Sequence, residues 1–250
     1  MNQPPQSPEP PRPIFTGDVR PVRAPRPIDP WKGWATYALI AANVAMFVFE
    51  LASGAGVQGP SAEQMLALGA DFGPLTCHGQ PWRLVTAMFL HFGIIHIGMN
   101  MVCLYQVRIV ERMMSRAEFV ALYLASGLVG GLASLAFHPL AVSAGASGAV
   151  FGMFGAFAAV MVVRRSRIDP QAWKRTMQSL SLFFGINLVF GLSQHEIDMS
   201  AHIGGLAAGF AGAYVLAKTA RPTSKPLLRA LIVLGVGAAI AFGGIHALPG

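Results

Sequence analysis

Long apolar runs recur along this 250-residue chain from about residue 34 to its end, and they restrict its fold more than any other feature. Hydrophobic residues make up 54% of the sequence and charged residues only 12%, which is unlike an ordinary soluble domain. A helix needs about 20 mostly apolar residues to cross the hydrocarbon core of a bilayer. We predict an all-α, polytopic membrane helix bundle with seven spans at roughly 34–52, 82–106, 117–137, 143–163, 176–193, 201–218 and 228–247.

The segments before and after these runs suggest three parts. Residues 1–30 hold ten of the eighteen prolines and little apolar surface. This composition predicts a disordered Pro/Arg-rich cytosolic tail rather than a cleavable signal peptide or an organelle presequence. A six-span core is expected over 31–220 and an additional C-terminal span over 221–250.

The long connection 53–80 is too polar and glycine-rich to cross a membrane. Ser61 is a suitable N-cap within it, so a short interfacial helix is predicted there. The two cysteines, Cys77 and Cys103, do not form a disulfide framework and are predicted to be structural thiols.

The basic residues indicate the orientation. Seventeen of the 18 Lys and Arg residues fall on one side of the predicted spans, and Arg83 is the exception. Because cytosolic segments carry the excess of Lys and Arg, we expect the N-terminus in the cytosol and the C-terminus outside. The net charge of +7 then reflects topology, and nucleic-acid binding is not expected. We expect a multi-pass protein of a bacterial inner (plasma) membrane.

This orientation puts four polar side chains in the outer half of three spans. Ser147 lies near the outer end of the fourth span, roughly 7 Å deep at 1.5 Å per residue. His202 lies near the outer end of the sixth. His96 and Asn100 are four residues apart on the second span and therefore share a helix face.

Small residues accompany both Ser147 and His202. The glycines in these positions are Gly145, Gly148, Gly205 and Gly209. Small neighbours let another backbone or a substrate approach a serine oxygen, although such a pattern alone is more typical of a tight helix–helix contact. If the two glycine-rich spans pack together, His202 comes within hydrogen-bond reach of Ser147. A serine hydroxyl needs such a base to act as a nucleophile.

A metal site and a transporter are the two alternatives to a nucleophilic serine. Three imidazoles suggest a metal site formed by His91, His96 and His202. However, His91 and His96 are five residues apart and would not point together on one helix, and no buried carboxylate completes the set. A transporter is the second alternative, but the paired broken helices and midplane carboxylates typical of transporters are missing. We expect no metal and no other cofactor.

Four sequence motifs carry a resemblance to a known family, in the order in which that family has them. They are Trp82-Arg83, HFGIIHIGMN, GASG and AHIGGLAAG. Over roughly residues 34–218 the chain resembles the rhomboid intramembrane serine proteases. The resemblance implies that Ser147 is the nucleophile and His202 its general base. It assigns the oxyanion hole to His96 and Asn100, with help from the backbone N–H of Ser147.

The resemblance extends to the supporting positions. Gly145 and Gly148 match the small residues flanking the serine, and Gly205 and Gly209 match the helix-packing pair. Phe151 stands where some members have a tyrosine stacked on the catalytic histidine, so the ring is kept without its hydroxyl. His91 matches an additional histidine of the family and receives no role in the mechanism.

The implied function is that of a serine endopeptidase that cleaves transmembrane segments of single-span or other membrane proteins in the lipid bilayer. Substrates are expected to be helices that partly unwind, since a regular helix hides its peptide bonds. A catalytically inactive rhomboid-like membrane chaperone is the alternative, but it is expected to lack the serine or the histidine. The seventh span is predicted to be dispensable for the chemistry, as an addition to the core that other members share.

We predict a dyad without an acid. Asp198 is four residues before His202, but two side chains on one helix face both point outward from it. Asp198 and Glu196 are instead expected in a mobile cap where the carboxylates are solvated. Phe151 is four residues after Ser147 and is expected to hold the imidazole by stacking.

Overall fold

The computed structural model describes residues 33–193, 198–221 and 223–248, with the backbone alone for 184–193. Within these ranges the chain is helical, as predicted, and its connections contain one isolated β-bridge. The predicted tail 1–30 lies outside the described residues. The α-helices in order are α1 Trp34–Ala52, α2 Ala62–Leu68, α3 Gly73–Thr76, α4 Arg83–Thr86, α5 Ile94–Gln106, α6 Arg108–Glu111, α7 Arg116–Phe137, α8 Ser147–Val163, α9 Pro170–Ser193, α10 Met199–Thr219 and α11 Pro226–Gly244.

Four of the described helices are long and apolar enough to cross a membrane, namely α1, α7, α10 and α11 with its last turn. The two helical stretches from α4 to Phe89 and from α5 to α6 make a fifth if they count as one broken span. Helix α8 is apolar but only 17 residues long. Length and composition therefore support four or five crossing helices, and the division into six spans plus one stays a prediction.

Two predicted spans have the wrong shape. The second, predicted as a continuous run over 82–106, is broken between Phe89 and Ile94, where its halves meet at 91°. Gly93 stands at this break with φ +91°, which only glycine adopts without strain. The fourth span begins at Ser147 rather than at residue 143, because Gly145 has φ +136° and the chain before it is not helical. Both corrections concern segments beside the candidate site.

Helix α8 occupies the centre of the bundle between α7 and α10. It is apolar all round, which is typical of a helix surrounded by other helices, and most of its residues are buried. Against α10 it presents backbone rather than side chains along a glycine seam formed by Gly148, Gly152, Gly205 and Gly209. A Cβ at Gly205 would overlap the carbonyl oxygen of Gly148, and one at Gly209 that of Gly152. The predicted packing of these two glycine-rich helices is therefore confirmed.

The shorter predicted features are also present. Helix α2 begins at the predicted N-cap Ser61, whose side chain accepts a hydrogen bond from the Gln64 N–H while the Gln64 side chain accepts from the Ser61 N–H. Cys77 and Cys103 are both free thiols. Glu111, the last residue of α6, is buried and accepts hydrogen bonds from the first-turn amides of α1.

Helix α11 packs along α7. Gly237 approaches Ala125 of α7, and Arg229 forms an ion pair with Glu118 at 2.9 Å. Ala241 and Ile245 share an apolar cluster with Leu84 and Met88 and with residues of α7. This helix therefore contributes to the core, although none of its described side chains is part of the candidate site.

Candidate active site

Ser147 is the first residue of α8 and is half-buried. The turn before it is anchored by a hydrogen bond from the Gly145 N–H to the Ala87 carbonyl at 2.9 Å. Amides in the first turn of a helix have no partner within the helix, and the helix dipole adds partial positive charge there. The backbone N–H of Ser147 is therefore suited to stabilise negative charge beside the hydroxyl.

His202 lies in the first turn of α10 and is 8% exposed. Its ring stacks on Phe151 with centroids 4.1 Å apart and planes 9° from parallel, which confirms the predicted contact. Because Phe151 follows Ser147 by one helical turn, this stack holds the imidazole against the helix that carries the serine. At the same level, Gly148 faces the Ala201 carbonyl.

No hydrogen bond joins Ser147 to His202 within the described residues, and the buried Nδ1 of His202 has no hydrogen-bond partner there. Hydrogen bonds between catalytic groups are often long in free enzymes and shorten when substrate binds. Because Nδ1 is unbonded, no described carboxylate orients the ring through that nitrogen. The structure thus places both residues at the starts of two packed helices, and none of the described carboxylates is bonded to His202 Nδ1.

His96 of α5 packs its ring against Gly145. A Cβ on Gly145 would lie 2.9 Å from His96 Nε2 and 3.8 Å from Ser147 Oγ, so the absence of a side chain keeps the two groups close. His96 Nδ1 accepts a hydrogen bond from the Phe92 N–H at 3.2 Å. In the neutral imidazole the proton must then sit on Nε2, which makes the nitrogen beside Gly145 a donor.

Asn100 lies one turn further along α5 and is buried. Its Nδ2 donates to the carbonyl oxygen of His96 at 3.0 Å. A side-chain amide has two N–H groups, so this bond leaves the second N–H as a further donor. The two residues predicted to share a helix face therefore also form a connected pair.

The predicted separation of His91 and His96 is wrong. Their ring centroids are 5.2 Å apart in an edge-to-face arrangement, because His91 precedes α5 at the break and is not on the same helix. The Glu50 carboxylate of α1 accepts a hydrogen bond from the His91 N–H at 3.0 Å, and His91 Nδ1 contacts the Phe89 carbonyl. Among the described residues, no group of three or more His, Cys, Asp or Glu side chains is arranged to hold a metal ion.

The expectation of a solvated Asp198 is also wrong, while Glu196 lies outside the described residues. Asp198 is the N-cap of α10, and its Oδ1 accepts hydrogen bonds from the Ala201 N–H at 3.0 Å and the Ser200 hydroxyl at 2.5 Å. Its Oδ2 accepts from the Ser143 hydroxyl at 3.1 Å. Burial alone raises the pKa of Asp198, but these hydrogen bonds and one from Ser134 outweigh burial and lower it.

Asp71 was missed by sequence reasoning. It is 2% exposed, and its backbone N–H and C=O both pair with Ser143 at 2.9 Å. Burial raises the pKa of its carboxyl to about 7, against the opposing effect of a hydrogen bond from the Thr76 hydroxyl. No local pattern around Asp71 pointed to this bridge, since its partner is far along the chain.

Comparisons with known proteins identify a family for this chain. Residues 78–219 match the model of the Rhomboid domain. The chain is 36% identical over 214 residues to Rhomboid protease GluP of Bacillus subtilis (strain 168), and the match covers 84% of this chain and 40% of that protein. It is 30% identical over 212 residues to RHOMBOID-like protein 7 of Arabidopsis thaliana, covering 74% and 67% of the two chains. With Rhomboid-like protease 3 of Toxoplasma gondii it shares 32% identity over 154 residues, covering 61% and 58%.

The chain thus spans less than two thirds of the length of the Bacillus and Toxoplasma relatives. The matched domain nevertheless takes in every residue of the candidate site, from His96 to His202. It covers more than half of the chain, and its apolar helices fit an integral membrane protein. On these grounds the chain belongs to the rhomboid family of membrane proteins.

Proposed function

We propose that this protein is an intramembrane serine endopeptidase that cleaves transmembrane segments of other membrane proteins. The observation that carries the proposal is the stacking of the His202 ring on Phe151, one helical turn after Ser147 at the start of α8. Proteases named among the similar proteins support the same activity. The site requires water to reach it, so a cavity open to the outer face is part of the proposal.

The reaction follows from the roles of the two side chains. Ser147 Oγ attacks the carbonyl carbon of the scissile peptide bond while His202 accepts the hydroxyl proton. The imidazolium then protonates the leaving amine as the C–N bond breaks, which leaves an acyl-enzyme. Water attacks the ester carbonyl, its proton passes to His202, and return of that proton to Ser147 Oγ releases the acid and restores the enzyme.

The developing negative charge is held by three donors. These are the Nε2–H of His96, the side-chain amide of Asn100 and the backbone N–H of Ser147. The tautomer imposed on His96 by the Phe92 N–H leaves Nε2 as a donor beside Gly145 before any substrate arrives. Preorganised donors of this kind cost no rearrangement in the transition state, and one such donor is worth about 3–4 kcal/mol.

The direct test is a gel-shift assay with a generic single-span substrate and the purified wild-type protein in detergent or liposomes. Cleavage should be blocked by a serine-directed inhibitor and unaffected by a chelator, which separates a serine protease from a metalloenzyme. Absence of cleavage over a panel of such substrates, together with absence of labelling by a serine-directed probe, would favour an inactive chaperone instead.

We expect Asp198→Asn to keep most of the cleavage activity, because the described structure has no carboxylate on His202 Nδ1. Asn is as good an N-cap as Asp, so α10 should still begin at the same residue. Glu196→Gln should behave in the same way. In a true triad, replacing the acid by its amide costs about 10⁴-fold in turnover. A loss of that size in a folded variant would overturn the dyad.

The orientation of the chain can be tested separately. With seven spans and 17 of 18 basic residues on one side, a reporter fused after Gly250 should be external and one inserted in the 164–175 connection should be cytosolic. Protease accessibility of both reporters from the same side would contradict the proposed span count. The proposed outer location of the active site depends on this result.

A further inference from the structure

Residues 138–146, here called the approach segment, lead from the end of α7 to Ser147. Backbone hydrogen bonds attach this segment to residues 71–87 at three places. Pro139 accepts from the Gly73 N–H, Ser143 exchanges two bonds with Asp71, and the Gly145 N–H donates to Ala87, each at 2.9 Å. The approach segment therefore has a defined path although it is not helical.

The side chain of Ser143 makes a further contact that these backbone bonds do not require. Its hydroxyl donates to Asp198 Oδ2 at 3.1 Å, across 55 residues of sequence. The Asp198 carboxylate is itself held by the first turn of α10 through its other oxygen. The Ser143 hydroxyl thus connects the approach segment, which leads to Ser147, with the N-cap of α10, the helix that carries His202.

The two residues of this bond hold equivalent positions relative to Ser147 and His202. Ser143 precedes Ser147 by four residues, and Asp198 precedes His202 by four residues. Below the site, α8 and α10 approach each other backbone to backbone at the pairs Gly148–Gly205 and Gly152–Gly209, where no side chain interlocks. Besides the Phe151–His202 stack, the Ser143–Asp198 hydrogen bond is a contact that ties the segment before Ser147 to the start of α10.

We propose that the Ser143–Asp198 hydrogen bond is a positioning contact that sets the distance between Ser147 and His202. This inference rests on the proposed function, which makes those two residues the nucleophile and the base. Neither Ser143 nor Asp198 takes part in the reaction. Ser143 acts through Ser147 and Asp198 acts through His202, each four residues further along the chain. Asp198 caps α10 and also accepts the hydrogen bond from the approach segment.

The contact depends on a hydroxyl at position 143 and on an acceptor or donor at position 198. Asp198 is held ionised by its donors, which favours a strong bond from the Ser143 hydroxyl. In Asp198→Asn the amide nitrogen can face Ser143 and donate to its oxygen while the amide oxygen caps α10. This reversal explains why the asparagine variant is expected to remain active even though Asp198 matters.

The test compares variants of the full chain by the kcat and KM of substrate cleavage and by thermal unfolding. Ser143→Ala should lower kcat about 10-fold with little change in KM, since a misplacement of 1 Å at a reacting centre costs up to about 100-fold. Ser143→Thr and Ser143→Val form a matched pair of nearly equal shape, of which only threonine has the hydroxyl. Threonine should restore kcat and valine should not.

Ser200→Ala is the control, because it removes another hydroxyl from the same carboxylate without breaking the link between the two segments. It should keep the wild-type kcat. Adding Ser143→Ala to Asp198→Ala should lower kcat no further than Asp198→Ala alone.

Three results would overturn the inference: a normal kcat for both Ser143→Ala and Ser143→Val, an equal loss in Ser200→Ala, or equal loss in the threonine and valine variants. Because every variant is compared with an active wild type, these results differ from failure of the wild type to cleave, which would remove the proposed function instead.

Discussion

Replacement of Ser147 by alanine should reduce kcat for substrate cleavage about 10⁶-fold, which takes it below detection in a gel assay. Loss of the nucleophile of a serine protease has an effect of that size, and losing the base as well adds little because the two act as a unit. His202→Ala should therefore be as inactive as Ser147→Ala, and the double variant no worse. The expected loss lies in kcat, since the substrate still contacts the rest of the site.

The matched control for this series is Ser166→Ala. Ser166 is an exposed serine in the turn that follows the opposite end of α8, and its hydroxyl is far along the helix from the site. This variant should cleave as the wild type does and should still bind a serine-directed probe, while Ser147→Ala should bind none. Residual specific cleavage by folded Ser147→Ala, blocked by the same inhibitor, would show that another residue is the nucleophile.

Substitution of Gly209 by alanine should destabilise the protein by about 3 kcal/mol, the upper range for forcing an extra carbon into a filled contact. The added Cβ would overlap the Gly152 carbonyl group, which belongs to a helix backbone and cannot rotate away as a side chain can. Gly205→Ala meets the Gly148 carbonyl in the same way. Separation of α8 from α10 would also move His202 from Ser147, so activity should fall together with stability.

Gly235→Ala provides the control for this prediction. Gly235 is a glycine of α11 with open space around its Cα, so an added methyl group meets no atom within 4 Å. Alanine is the better helix former there by about 1 kcal/mol, and the melting temperature should stay the same or rise. A Gly209→Ala protein that melts like Gly235→Ala would mean that α8 and α10 do not meet along the glycine seam.

The sequence by itself determined the class of the protein and the candidate residues of its proposed site. Apolar runs predicted the helices, and the α2 cap at Ser61 was visible because capping involves neighbours a few residues apart. The glycine spacing of α10 predicted which face meets α8. Phe151 was assigned to the imidazole because residues four apart share a helix face. Each of these inferences uses information contained within about one or two helical turns.

Tertiary structure alone decided how the segments between the helices are arranged. The 91° break before α5 brought His91 beside His96, where a continuous helix would have separated them. Asp198, expected in solvent, is instead bound by the hydroxyl of Ser143 from 55 residues away. No local preference encodes such a contact. A non-helical segment takes its path from the partners that satisfy its backbone and polar groups, and those partners are known only once the helices have packed.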